Sequence, residues 1–163
     1  MEFELASSES KAITDQELGE LLTQVYVEGG YTSPEEAVML FAPANVRKRG
    51  VLIGAREKQK GELAGIIIVV APGSPAIKLA QKNEAEIHLL GVKPAYQHQG
   101  LGRMLVAAAI DNAKNNGYSK LILWTQSSMI VAQKIYADMG FIPFDVFEKN
   151  GRKFTVYEKY LDA

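Results

Sequence analysis

The chain has 163 residues, 47% of them hydrophobic, with 18 basic and 19 acidic side chains and a formal net charge of −1. That length suits one globular domain over residues 1–163 with a sizeable core, and the charge balance excludes the global basic field that drives nonspecific nucleic-acid binding. Cysteine is absent, which excludes disulfides, thiolate zinc sites and acyl transfer through an enzyme thioester.

Met1-Glu2-Phe3-Glu4 is acidic and lacks a basic segment followed by an apolar one, so no secretory signal is expected and a cytoplasmic location is. Thr14 precedes Asp15-Gln16-Glu17, with Leu18, Leu21, Leu22 and Val25 at helical spacing, which predicts a helix over 15–26 opened by a capping box. Gly29-Gly30 breaks it, and Ser33-Pro34-Glu35-Glu36 starts a second helix ending near 41–43. Residues 51–56 and 63–71 read as strands joined by a turn at Lys58-Gln59-Lys60-Gly61. The most apolar run, 65–71, is far shorter than the roughly twenty residues that span a bilayer. Pro72-Gly73-Ser74-Pro75 closes the hairpin, and the segment to Asn83 reads as an exposed loop.

A strand is expected over 84–92, a helix over 101–116 stopped by Gly117, and a short strand over 120–125. A helix over 128–139 follows, with Ser127 and Ser128 as capping candidates and Gly140 as its stop. Residues 144–149 and 152–160 form a hairpin across Asn150-Gly151. Helices alternate with strands in the middle and hairpins occupy both ends. The fold class is therefore α/β in the broad α+β sense, a mixed sheet covered by helices.

The stretch from Val92 to Gly102 passes from a strand pattern through a polar turn into a helix. Gly100 and Gly102 permit positive φ and leave consecutive N–H groups facing a ligand, and the helix start adds free amides and the positive end of its dipole. Such a layout cradles a diphosphate without a basic side chain. No Walker-type loop is present, and the third glycine of a dinucleotide fingerprint would fall at Leu105.

Gln97-His98-Gln99-Gly100-Leu101-Gly102 matches, at each fixed position, the Arg/Gln-x-x-Gly-x-Gly/Ala motif of the acetyl-CoA-dependent N-acetyltransferases known as GNAT. Ala132, Ile135, Tyr136 and Gly140-Phe141 resemble that family's Ala-x-x-Leu-Tyr-x-x-x-Gly-Phe element, and the resemblance is strong from 84 to 141. It implies a mixed, mostly antiparallel twisted sheet with helices on both faces and a splayed central strand pair. It also implies acetyl-CoA as acyl donor, an amine as acceptor, and direct transfer through a tetrahedral intermediate. On this footing the amides of Gln97, His98, Gln99, Gly100, Leu101, Gly102 and Arg103 grip the diphosphate, with Arg103 either adding a charged contact or standing in solvent. Main chain around Leu90, Gly91 and Val92 pairs with pantetheine at the splay, Gly91 marking a bulge or a close packing contact. An amide near Leu90 suits the oxygen of the thioester as it gains charge.

Ala85-Glu86-Ile87 resembles the glutamate-bearing strand of histone-type members, which makes Glu86 the first candidate for general base if burial raises its carboxyl. His88, on the same strand face, is the rival. Tyr136 matches the tyrosine that protonates the leaving thiolate or orients its sulfur, and it also stands at core spacing on its helix. The resemblance sets the acceptor cleft between 26–32 and 144–154, where Tyr26, Glu28 and Tyr31 either meet a cationic amine or pack. An active transferase leads, and a noncatalytic acyl-CoA-binding module stands beside it; hydrolysis or transfer of a bulkier acyl group is a third account. His88 and His98 form no ligand-spaced pair, so no metal is expected. Neither nucleic acid nor membrane is an expected partner, while a homodimer is allowed.

Overall fold

The computed structural model describes residues 2–6 and 13–161; Met1, at the head of the acidic N-terminal stretch, lies outside them. Helix α1 (Asp15–Leu22) opens on the predicted capping box. Thr14 Oγ1 accepts from the Glu17 amide at 3.1 Å, and Glu17 Oε1 accepts from the Thr14 amide at 3.0 Å, an arrangement worth about 1 kcal/mol. The helix runs on as a π-helical turn (Thr23–Val27). Ser33 Oγ accepts from the Glu36 amide and opens α2 (Pro34–Leu40). A third helix, α3 (Pro43–Arg49), has no counterpart in the sequence pattern: Val46 is its one buried residue and no side chain caps it, so it carries no apolar period. Strand β1 (Phe3–Leu5) is equally silent, with two of its three residues exposed.

Strands β2 (Val51–Glu57), β3 (Leu63–Val70), β4 (Glu84–Val92), β5 (Lys120–Gln126), β6 (Ile142–Lys149) and β7 (Arg152–Tyr160) join β1 in one seven-stranded sheet ordered β1-β2-β3-β4-β5-β7-β6. Neighbours are antiparallel except β4 and β5, which are parallel. Helices cover both faces. On one, Leu18, Leu21 and Val46 pack against Leu52, Ile66 and Ile68; on the other, α4 (Leu101–Asn115) and α5 (Ile130–Asp138) lay Leu105, Ala109 and Tyr136 over Ile53, Ile67 and Ile87. Successive residues of β3 thus serve opposite cores, which explains a strand buried along its whole length. Asn150 and Gly151 take φ of 52° and 74° between β6 and β7, as a two-residue type I′ turn requires.

Helix α5 begins later than expected. Ser127 stays attached to β7, its amide donating to the Lys153 carbonyl at 2.8 Å and its hydroxyl lying 3.1 Å from that of Thr155. Neither Ser127 nor Ser128 caps the helix, and Met129 takes the N-cap position without a side-chain bond. Among the described residues no helix is long and apolar enough to cross a membrane.

Candidate active site

Strands β4 and β5 pair only at their first three residues, Glu84 with Lys120, Ala85 with Leu121 and Glu86 with Ile122. Beyond that point the pair splays, as the resemblance implies. A bulge accompanies the parting: the register with β3 slips between the His88–Ile68 and Gly91–Ile66 pairs, and Leu89 sits at φ 54°. The bulge is therefore centred at Leu89 and Leu90 rather than at Gly91. A Cβ on Gly91 would lie 3.3 Å from Leu21 and 3.6 Å from Val25, so the glycine makes room for helix packing. Across the same gap, Tyr26 Oη donates to the Leu90 carbonyl at 2.8 Å.

The chain leaves β4 through a 3₁₀ turn (Pro94–Tyr96) and enters α4 at Gly100. His98 and Gly100 take φ of 62° and 84°, and no side chain caps the helix. Its first main-chain bond runs from the Met104 amide to the Gly100 carbonyl at 3.1 Å. The amides of Leu101, Gly102 and Arg103 are left without intrahelical acceptors at the positive end of the dipole. Gln97 is turn-forming, its Nε2 donating to the Val92 carbonyl at 3.1 Å. Arg103 is neither free nor aimed at the turn, since its guanidinium meets Asp138 of α5 at 2.7 Å. A Cβ on Gly102 would stand 2.7 Å from Ile135 Cδ1, so this glycine also sets how closely α4 and α5 approach.

Glu86 and His88 lie two residues apart on one face of β4. The segment 76–83, expected to be an exposed loop, folds back onto them: the Lys78, Leu79 and Ala80 amides donate to the Glu86 carboxylate at 2.6 to 3.1 Å. His88 Nε2 is 2.9 Å from Glu86 Oε1. Burial alone would raise the Glu86 carboxyl, but His88 and the three amides outweigh it and hold the group below the usual carboxylate range. The raised carboxyl that a glutamate base requires is therefore not found, and Glu86 is absent from the cavity wall. With Glu86 ionised, His88 Nε2 donates to it, and in the neutral imidazole of that tautomer Nδ1 is an acceptor. Among the described residues Nδ1 is the one buried side-chain polar atom with no hydrogen-bond partner. The Trp124 ring meets the imidazole edge-on, centroids 5.1 Å apart.

A cavity of about 790 Å³ lies along the splay, with His88, Leu89 and Leu90 of β4, Trp124 of β5 and Tyr136 of α5 in its wall. Tyr136 is nearly buried and edge-on to Phe141 at 5.8 Å, and no hydrogen bond to a described residue ties its hydroxyl. Burial, reinforced by the phenols of Tyr26 and Tyr157, pushes its pKa well above the ordinary tyrosine range. The far side of the cavity is aromatic: Tyr26, Tyr31 and Phe41 face Phe144, Phe147 and Phe154 of the last hairpin. Gln126 Nε2 donates to the Tyr31 carbonyl at 2.6 Å, and Arg152 to the Gly30 carbonyl at 3.1 Å, tying the two walls together. Glu28 is not part of this wall; it borders a separate shallow depression with Asp15 and Glu20. Arg49 at the end of α3, Trp124, and Ala76, Lys78 and Leu79 of the folded-back segment are among the wall residues that escaped sequence reasoning.

A parallel strand pair that parts beside an uncapped, glycine-entered helix is the architecture of the GNAT-type acyltransferases named by the motifs. Residues 16–141 match the model of the acetyltransferase (GNAT) family, and the chain belongs to that family. It is 30% identical over 100 residues to N-acetyltransferase family 8 member 3 of Rattus norvegicus, covering 61% of this chain and 40% of that one. The chain thus spans less than half the length of this curated relative. Among solved structures it resembles a GNAT-family acetyltransferase of Staphylococcus aureus Mu50 (TM-score 0.77, 16% identity, 99% of this chain and 100% of that). It also resembles the Bacillus subtilis acetyltransferase in complex with CoA (TM-score 0.69, 22% identity, 98% and 97%). At these identities the structural likeness is one of fold.

Proposed function

We propose that the chain moves an acetyl group from acetyl-CoA directly to an amine. The observation that carries this reading is the splay itself: one opening in the sheet borders main chain at Leu90, the Tyr136 hydroxyl and His88, and β4 continues to free amides at the start of α4. The amides of 97–103 hold the diphosphate, and the main chain of 89–92 aligns pantetheine. The CoA complex of the Bacillus subtilis neighbour supports acetyl-CoA as donor.

His88 takes the base role in this scheme. Its Nδ1 accepts the proton of the incoming ammonium, and the freed amine attacks the thioester carbonyl. The oxygen gains negative charge against a β4 amide near Leu90, the tetrahedral intermediate collapses with cleavage of the C–S bond as the surplus proton on nitrogen passes to the departing thiolate, and the His88 imidazolium returns its proton to solvent. Tyr136, protonated at neutral pH because burial raises its pKa, hydrogen-bonds the departing thiolate. Glu86 is a positioning residue: it fixes the imidazole tautomer and stabilises the imidazolium, as a carboxylate does behind a catalytic histidine.

The test is free-thiol release from acetyl-CoA across a panel of amines, with calorimetry of acetyl-CoA binding alongside. Amine-dependent release supports transfer. Binding without release from any amine supports the acyl-CoA-binding module instead, and absence of binding overturns both.

A further inference from the structure

The cavity departs from the charge balance of the chain. Arg49, Lys78, Lys149 and Arg152 line it against only Glu36 and Asp145, in a protein of net charge −1. None of the four cations is in an ion pair among the described residues. The two guanidiniums reach neutral oxygens only: Arg49 meets the Leu40 carbonyl at 3.3 Å, and Arg152 meets the Gly30 carbonyl at 3.1 Å and Gln126 Oε1 at 3.4 Å. Both carboxylates, by contrast, are engaged, Glu36 with Ser33 at 3.0 Å and Asp145 with the Val146 amide at 2.8 Å.

Lys78 and Lys149 are exposed, whereas Arg152 and Arg49 are half-buried. Arg49 sits at the C-terminus of α3, next to Tyr26, whose hydroxyl holds the Leu90 carbonyl. Burial pulls its pKa below the ordinary arginine value while the neighbouring phenol opposes that shift. A partly desolvated guanidinium with no carboxylate is an electrostatic deficit that an anionic ligand group would relieve. Aromatic rings stand in the same wall, with Phe147 and Phe154 stacked 5.0 Å apart and Phe41 5.2 Å from Tyr26.

We infer that the acceptor is a small amine that also carries a carboxylate and an apolar group, the carboxylate docking on Arg49 and the apolar group among the phenylalanines. This deepens the acetyl-transfer reading and rests on it. A polyamine fits poorly, since four cations against two carboxylates leave the cavity wall net positive. The diphosphate of the donor is accounted for elsewhere, because none of residues 97–103 lines this cavity.

The experiment compares kcat/KM for carboxylate-bearing amines of increasing spacing, from L-phenylalanine to 4-amino-3-phenylbutyrate, with L-phenylalaninamide, phenethylamine and spermidine. At least one acid is expected to exceed its carboxylate-free counterpart by about tenfold or more. In R49M the KM for that acid rises by about tenfold with kcat held within about twofold, while the acetyl-CoA KM stays put; R49K recovers part of the loss. Carboxylate-free amines that match the acids, or spermidine that surpasses them, overturn the inference. A binding arm separates this idea from the chemistry: 3-phenylpropionate, which has no amine to acetylate, is titrated into wild type, R49M and R49K. Binding that R49M weakens supports the site even if no amine releases thiol, whereas an acid that fails to bind wild type, or binds R49M equally, rejects it.

Discussion

His88 keeps a nitrogen buried and unpaired, a condition that costs about 1–3 kcal/mol in a folded protein. Glu86 cannot supply the missing partner, because it is already committed to Nε2 and to three amides. The unmet bond is accounted for if the incoming amine completes it. His88→Gln, which keeps a polar side chain of similar reach but no basic nitrogen, is expected to lower kcat by about a hundredfold with acetyl-CoA affinity unchanged. Rate measurements on a chemistry-limited amine with parallel calorimetry check this, and an unaltered kcat would assign deprotonation to solvent.

The segment between β3 and β4 contributes through the same carboxylate. Glu86 gathers the amides of Lys78, Leu79 and Ala80, and those residues present Lys78 and Leu79 to the cavity. In Glu86→Gln one acceptor oxygen and the negative charge are lost. Hydrogen exchange at amides 78–80 is therefore expected to accelerate by about tenfold or more, with little change in the strands on either side; unchanged protection there would show that the segment is held by something else. Sequence reasoning finds the elements whose signals are local. The capping box at Thr14, the Asn150-Gly151 turn, the glycine-entered helix α4 and the Tyr136 element all announce themselves within a few residues. It misses α3, where a single buried valine makes no period, and the fold-back of 76–83, which depends on a carboxylate outside the segment. Gly91 illustrates the intermediate case. A glycine in a strand signals either a bulge or a close approach, and only packing shows that Leu21 and Val25 need the space.

For the molecule as a whole, stability should be level across neutral pH and fall at both extremes. Arg56 lies 2.6 and 3.0 Å from the two oxygens of Glu17, linking α1 to β2, and holds that carboxyl at about 2. The unfolded carboxyl titrates near 4.5, so the contribution is complete above that pH and is lost as pH falls toward about 2. Glu86, also held low, acts in the same direction. At the alkaline end, a hydrogen bond to Glu62 and burial push Tyr96 up to about 12 from an ordinary 10, so its contribution is complete below 10 and declines above it. Buried Tyr26 and Tyr136 resist ionisation likewise. Denaturant midpoints measured against pH should show this plateau, and Glu17→Gln should lower the midpoint at pH 7 and flatten the acid limb; an acid limb identical to wild type would remove Glu17 from the account.

The contact between Tyr26 and Leu90 bears on the sequence of events in a catalytic cycle. Under the proposed alignment, a pantetheine amide that reaches the Leu90 carbonyl shares it with, or displaces, the phenol now bound there. Tyr26 belongs to the π-helical turn and leans on Phe41, on the opposite face of the sheet from α4. Arrival of the thioester would thus be felt in the compartment that receives the amine, so the two binding events are coupled through one phenol.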